Sequence, residues 1–265
     1  MDTRSKVDEA LLLLNKILDY IFLYFFLLLF AMMALTWSLT GSLLYFVLPP
    51  KVSRRIGPAL VTGFARRYIA LLSAGGKVKF DLAELDALQG EAGGLVIAPN
   101  HPSMLDAVMI VSRLPRVVCI AKAQLWDNPL LGGGMRMAGY IRNDAPVKLT
   151  KLAAARLEEG QQLLLFPEGT RTTRRPVNGF RGGFALTAKL AGVPVQTVFI
   201  EASSPFLGKG WPLFKKPDFP LVYRVRLGRR FKVEGEVKPF IAALERYFRD
   251  ELSGAAAASR SLVLP

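Results

Sequence analysis

The stretch Leu95-Val96-Ile97-Ala98-Pro99-Asn100-His101-Pro102-Ser103-Met104-Leu105-Asp106 decides how this chain is read. Leu95–Ala98 is a short apolar run of strand length, and Met104–Arg113 repeats its apolar residues as a helix does. The segment between them ends a strand and opens a helix. Outward from it the same alternation continues. Val117–Ala121 reads as a strand, Lys148–Glu159 as a helix, Gln162–Phe166 as a strand, Phe180–Ala191 as a helix and Pro194–Ile200 as a strand. Leu221–Leu227 alternates like a half-exposed strand, and Val237–Leu252 reads as a closing helix. Strands separated by helices predict an α/β domain, with a mainly parallel sheet and flanking helices.

Composition narrows the chemistry. The 265 residues fit one large domain or a domain with an appendage, and 51% hydrophobic residues exclude a disordered chain. A single cysteine, Cys119, excludes an intramolecular disulfide framework, and it reads as an inert core thiol in mid-strand. A single histidine, His101, excludes a two-histidine metal site, so no metal is expected. The formal charge of +14 calls for an anionic partner: nucleic acid, an anionic bilayer surface or a phosphorylated small molecule.

The hydrophobic residues point to the bilayer. Tyr20 to Pro50 carries no charge, and Ile21 to Leu35 is unbroken apolar sequence. As a helix, the uncharged run extends roughly 46 Å at about 1.5 Å per residue, longer than a hydrocarbon core of ~30 Å and shorter than the ~40 residues of two spans. Thr36, Ser38, Thr40, Gly41 and Ser42 interrupt it. Two readings follow: one tilted span, or a helical hairpin that enters one leaflet and returns. The run is too long for a cleaved signal peptide and has no A-x-A site. Lys51, Arg54, Arg55, Arg66, Arg67, Lys77 and Lys79 follow it with no acid up to residue 80, which places the C-terminal side in the cytoplasm, at the inner membrane. Residues 57–74 read as an amphipathic, basic membrane-surface helix. The expected division is an anchor over 1–56, an α/β domain over 57–253 and a frayed tail over 254–265.

The turn after Leu95–Ala98 carries the first candidate site, because ligands collect at the carboxyl ends of such strands. With Ser103 as N-cap, Asp106 falls in the first helical turn and reaches back to His101 Nδ1. That fixes the tautomer and leaves Nε2 free as a general base. The same Ser103-x-x-Asp106 spacing also fits a capping-box-like pattern, in which His101 is only a turn residue. Ser103 reads as a cap rather than a nucleophile, since no G-x-S-x-G elbow is present.

The second candidate is Phe166-Pro167-Glu168-Gly169-Thr170-Arg171, again after an apolar strand. Gly169 and Thr170 can turn N–H groups toward an anion, and Arg171 offers a planar fork for phosphate. Together, Asn100-His101-Pro102-Ser103-Met104-Leu105-Asp106 and this segment resemble the N-H-x-S-x-x-D and F-P-E-G-T-R motifs of the 1-acylglycerol-3-phosphate acyltransferase family, over about residues 75–230. Lys122, with Leu125, Pro129 and Gly132, and Gly139-Tyr140-Ile141-Arg142 resemble its second motif less faithfully. Val193 to Val198 resembles its fourth.

The resemblance implies acyl transfer from an acyl-carrier-protein or coenzyme A thioester to a lysophospholipid hydroxyl, without a further cofactor. His101 is the implied general base and Asp106 its partner. Arg171 and Lys122 are the implied phosphate contacts, with Asn100, Ser103, Glu168, Gly169, Thr170 and Arg142 around the substrate. Glu168 is read as organising the Gly169-Thr170 turn, and N–H groups at the start of the helix near Ser103 as oxyanion donors. The aromatic and lysine-rich segment Ser204 to Lys216 reads as an interfacial loop. The basic surface alternatively docks an acidic acyl-carrier protein. A lyso-aminolipid, glycerol 3-phosphate or a specialised acyl acceptor is the alternative within the family. A non-catalytic membrane- or nucleic-acid-binding protein is the alternative outside it, but no usual nucleic-acid motif is found, and no nucleic-acid partner is expected.

Overall fold

The computed structural model describes residues 3–261. Two helices lead, α1 (Thr3–Val47) and α2 (Pro50–Ala74). The strands are β1 (Val78–Asp81), β2 (Leu95–Pro99), β3 (Val117–Lys122), β4 (Ile141–Asn143), β5 (Gln162–Leu164), β6 (Val195–Ala202) and β7 (Leu221–Phe231). Between and after them come α3 (Leu105–Arg113), the short α4 (Ala123–Trp126) and α5 (Gly132–Met137), α6 (Pro146–Glu158), α7 (Gly183–Ala191) and α8 (Val237–Ser261). One seven-stranded sheet has the order β1-β7-β6-β2-β5-β3-β4. Every pairing is parallel except β6 with β7.

β2 lies at the centre and is buried at all five positions. Successive side chains of a strand point to opposite faces. Leu95 and Ile97 accordingly enter the core shared with α1, α2 and α3, while Val96 and Ala98 enter the core shared with α6, α7 and α8. Both faces are covered, so the strand reads as a continuous apolar run rather than an alternating one. β7 forms the one antiparallel pair and keeps the alternation expected of it at its start, where Leu221, Tyr223 and Val225 are buried.

The parallel order sets the carboxyl ends of β2, β5, β3 and β4 side by side. His101 follows β2, the segment Phe166–Arg171 follows β5, Lys122 ends β3 and Arg142 lies in β4. Neighbouring strands are about 4.8 Å apart. In the plane of the sheet, Lys122 is therefore two strand spacings from the His101 turn and Arg142 three.

Of the two readings of the apolar run, α1 follows the single helix and not the hairpin. It runs without interruption through Thr36, Ser38, Thr40, Gly41 and Ser42, and the chain turns back only at Leu48-Pro49. The small residues form a seam with α5 instead. A Cβ on Gly134 would lie 2.8 Å from the Trp37 ring, and one on Gly133 would collide with Ser42. From the other side, a Cβ on Gly41 would lie 2.9 Å from the Gly134 Cα. Thr40 and Ser42 donate their hydroxyls to the Thr36 and Ser38 carbonyls within the helix, while the buried Ser38 hydroxyl has no partner among the described residues. Residues that look like an interruption of an apolar helix are the place where two backbones approach closely.

The opposite side of α1 stays bare. Ile21, Phe25, Leu28, Met32, Leu39, Leu43 and Phe46 form an exposed apolar stripe along it. Lys6–Val47 is long and apolar enough to cross a membrane. α2 starts at Pro50, seven residues before the expected helix, so the expected boundary at residue 56 falls inside it. Arg66 is exposed but tied to α3, its Nε donating to the Ser112 carbonyl (3.3 Å). At the other terminus, α8 runs through Gly254 to Ser261 where a frayed tail was expected, and residues 262–265 lie outside those described.

Overpacking a tight contact costs about 1–3 kcal/mol, more where the neighbour is backbone. Gly133→Val is therefore expected to lower stability by about 2 kcal/mol or more and to loosen α1 from α5. Thermal unfolding in detergent, together with the rate of proteolytic cleavage in α1, measures both effects.

Candidate active site

Asn100 begins the site. Its side chain accepts from the Ile200 N–H (2.7 Å) and donates to the Ile200 carbonyl (2.9 Å). β2 is thereby stitched to β6 one residue beyond their last paired position. Asn100 is 3% exposed and both its polar atoms are taken, so it positions the turn rather than contacting substrate as expected.

The next residue is held on all sides. The His101 N–H donates to Glu168 Oε1 (3.0 Å), and its carbonyl accepts from the Thr172 N–H (2.7 Å). Its ring is stacked on Phe166 with 3.7 Å between centroids and 16° between planes. Nδ1 lies 2.8 Å from Asp106 Oδ2. The same oxygen accepts the Ser103 N–H at 2.8 Å. One carboxylate oxygen thus serves both the His101 ring and the Ser103 N–H, but the helix begins at Leu105 with Met104 before it, one residue later than Ser103 as N-cap predicts. With Asp106 charged, Nδ1 carries the hydrogen and Nε2 keeps its lone pair. Nε2 has no protein partner among the described residues, and the His101 side chain is 17% exposed.

Asp106 is fully buried, and burial pushes its carboxyl up to about 6 against the pull of His101 and the Ser103 N–H. The charged form is the costly one in low dielectric, and the two hydrogen bonds on Oδ2 are what support it.

The start of α3 offers no free oxyanion donors, contrary to expectation. The Ser103 N–H goes to Asp106, the Met104 N–H to the Leu207 carbonyl (3.1 Å), the Leu105 N–H to Ser103 Oγ (3.3 Å) and the Asp106 N–H to the Ser103 carbonyl (3.4 Å). Ser103 Oγ donates to the Phe206 carbonyl (3.0 Å), so this hydroxyl too is structural and not a substrate contact.

Glu168 is the second fixed point. It is 2% exposed and accepts three hydrogen bonds: the His101 N–H, the Thr172 hydroxyl (2.7 Å) and the Asn178 N–H (2.9 Å). Its reach is wider than the Gly169-Thr170 turn it was expected to organise, and it faces protein donors rather than substrate. Gly169 makes that turn at φ +67°, where Arg181 Cδ leaves no room for a Cβ (2.7 Å). Arg171 donates through one nitrogen to the Leu207 and Gly208 carbonyls (2.8 and 2.9 Å). Those bonds hold part of its fork against the His101 turn and leave Nε and the other terminal nitrogen without protein partners among the described residues.

The segment expected at the interface is therefore split in role. Phe206 and Leu207 are buried against the His101 turn, whereas Leu213 and Phe214 are exposed. Sequence reasoning missed Thr172, Asn178 and the Phe206–Gly208 carbonyls. None belongs to a motif, and only Asn178, a turn-former near Pro176 and Gly179, carried any signal. Lys122 is exposed at the end of β3, and Thr170 is half-buried in the turn. Arg142 is not brought to this cluster. It is paired with Asp127 (2.5 Å) and with Asp144, three strands away.

A histidine–carboxylate pair and an arginine turn thus lie at adjacent strand ends of one parallel sheet. Residues 81–201 match the family model described as Acyltransferase. A lyso-ornithine lipid O-acyltransferase of Pseudomonas aeruginosa is 32% identical over 121 residues, 41% of this chain and 46% of the relative. A 1-acyl-sn-glycerol-3-phosphate acyltransferase of the same organism is 26% identical over 213 residues, 78% of this chain and 80% of the relative. The crystal structure of the 1-acyl-sn-glycerophosphate (LPA) acyltransferase from Thermotoga maritima shares the fold. Its TM-score is 0.67 at 18% identity, covering 92% of this chain and 97% of that one.

Protonating Asp106 removes the acceptor that orients His101, so activity is expected to rise with pH through about 6 and then level off. The stability contribution runs the other way. A carboxyl whose folded value is raised contributes fully below its unfolded value and loses that contribution as pH climbs through the folded one. Rate and thermal unfolding, each followed from pH 4.5 to 8, are expected to move in opposite directions across the window near 6. A flat rate over that window would remove Asp106 from the reaction.

Proposed function

We propose that this protein transfers a fatty acyl group from a thioester to the free hydroxyl of a lysophospholipid of the 1-acyl-sn-glycerol 3-phosphate type. The observation that carries this is the 2.8 Å pair of His101 Nδ1 and Asp106 Oδ2, with Nε2 unengaged beside the Arg171 turn. Nε2 takes the proton of the acceptor hydroxyl as its oxygen attacks the thioester carbonyl. Asp106 stabilises the imidazolium that forms. Collapse of the tetrahedral adduct breaks the carbon–sulfur bond, and the imidazolium returns its proton to the departing thiolate. No covalent acyl-enzyme is required. The free nitrogens of Arg171 meet the acceptor phosphate, with Lys122 as a second contact across the strand ends. Coenzyme A and acyl-carrier protein both fit as donor carriers.

An apolar cavity of about 250 Å³ supports the acyl part of this reading. It lies between α1, α2 and α3, and Phe30, Met33, Trp37, Phe64, Ala107 and Val108 are among its lining. Ala107 directly follows Asp106, so a chain bound there has its carbonyl end near the His101 pair. The bare stripe of α1 and the basic residues after it support a domain held at the cytoplasmic face of the inner membrane. A second acceptor class, a lyso-aminolipid, is favoured by the 32% identity to a lyso-ornithine lipid O-acyltransferase.

Free-thiol release from an acyl thioester by the detergent-solubilised protein tests the reaction. It is expected to depend on added lysophosphatidic acid and to fall by about 10³-fold or more in His101→Ala, the scale of losing a general base and its orientation together. Release that depends instead on lyso-ornithine lipid moves the acceptor to the second class. Equal release in the variant ends the role of His101. Within an active enzyme, Val108→Trp is expected to fill the apolar cavity and shift preference toward shorter acyl chains. Relative kcat/KM across a chain-length series measures that shift.

A further inference from the structure

The reaction above does not use the second large cavity. It measures about 350 Å³ and lies where the end of α1 and the start of α2 meet β4, α5 and α6. Four cations line it, Arg136, Arg142, Lys148 and Arg156, against one carboxylate, Asp144. Asp144 is engaged by Arg142 and lies 3.7 Å from Lys148. Asp127 also holds Arg142 (2.5 Å), so among the described residues Arg136 is the lining cation without a carboxylate: one nitrogen donates to the Trp126 carbonyl (3.1 Å), and the guanidinium lies 5.7 Å from the Trp126 ring centre. Arg156 pairs with Glu159 through one nitrogen (3.1 Å), but its Nε is buried without a partner among the described residues.

Ser53 makes the same point independently. It lines the cavity at 3% exposure, and its hydroxyl has no hydrogen-bond partner among the described residues. Two residues that line one cavity thus each hold a buried polar atom without a partner, which costs free energy unless a ligand completes it. Planar guanidinium forks with an added hydroxyl match the oxygens of a phosphate. The elements that frame the cavity also carry exposed apolar residues: Phe46 and Val47 end α1, Val52 begins α2 and Val147 begins α6. A soluble anion has no use for that apolar border, whereas a lipid headgroup arrives with chains to lay on it.

We propose that this cavity is a second, non-catalytic site that takes the phosphate of an anionic phospholipid headgroup. The site lies at the turn between α1 and α2, the part of the fold with the apolar stripe, so its ligand is a lipid of the surface on which the protein rests. It shares one wall with the apolar cavity, because Tyr140 lines both. A filled headgroup site therefore steadies the wall of the cavity assigned to the acyl chain.

The full chain in uncharged detergent tests this. Thermal unfolding is followed against dihexanoyl phosphatidylglycerol, dihexanoyl phosphatidylcholine and inorganic phosphate. The proteins compared are the natural sequence, Arg136→Gln/Arg156→Gln, Arg136→Gln/Lys148→Gln and, with equal charge loss elsewhere, Lys79→Gln/Lys238→Gln. Lys148 is 74% exposed, so the second pair keeps the test alive if the buried Arg156 is needed for folding. The expected result is a saturable rise in Tm with phosphatidylglycerol alone. Its half-saturation should move up by about tenfold or more in both cavity variants, the equivalent of one lost charge-assisted contact, and stay put in the Lys79/Lys238 control. An equal response in the cavity variants, or an equal response to phosphatidylcholine, overturns the site. A full response to inorganic phosphate with none to the lipid overturns the lipid as its ligand.

Discussion

Glu168 is a carboxylate inside a protein, and its three donors explain why it is tolerated there. Two come from the segment that follows it, Thr172 and Asn178, and one is the N–H of His101 from the end of a neighbouring strand. A buried charge without such partners is expensive, whereas one that accepts several hydrogen bonds acts as a clamp. Here the clamp closes across the parallel pair of β2 and β5. The return bond from the Thr172 N–H to the His101 carbonyl makes the junction two-sided. The turn with the histidine and the turn with Arg171 therefore form one rigid piece, and Arg171 extends it to the Phe206–Gly208 segment through two carbonyls.

Preorganisation of this kind is economical in residues. Asp106 Oδ2 closes the helix start and orients His101 with the same lone-pair region. Phe166 closes β5 and supports the imidazole face. Such sharing places His101 on rigid elements, which is where a side chain keeps its geometry. It also explains why the N–H groups at the start of α3 face inward: they hold the turn.

Much of this was legible in the sequence. The two motifs sit at strand ends because short apolar runs precede them, and period and length identify those runs without any partner in view. The pairing of His101 with Asp106 was one of two readings of the Ser103-x-x-Asp106 spacing, and it survives although the helix starts one residue later. What was not legible depended on contacts between distant residues. Ser38, Gly41 and Ser42 lower the hydropathy of α1 and so resemble a break, and only the facing glycines of α5 reveal them as a seam. Asn100 looks like a polar residue offered to a ligand until the Ile200 backbone is seen to use both its atoms. Arg142 stands in a motif-like position, yet the carboxylates that hold it, Asp127 and Asp144, are brought to it by the fold. The Phe206–Gly208 carbonyls serve as acceptors, a property that side-chain identity does not encode.

The seam between α1 and α5 has one more consequence. A domain joined to its membrane segment by a linker tumbles on its tether and meets the surface at every angle. Here the apolar helix is packed into the domain itself, glycine against serine, and no linker separates the two. Whatever layer holds the outer stripe of α1 therefore also sets the heading of the His101 ring, as a keel sets the heading of a hull. The domain gives up rotational search, and only its partner molecules are left to diffuse into register.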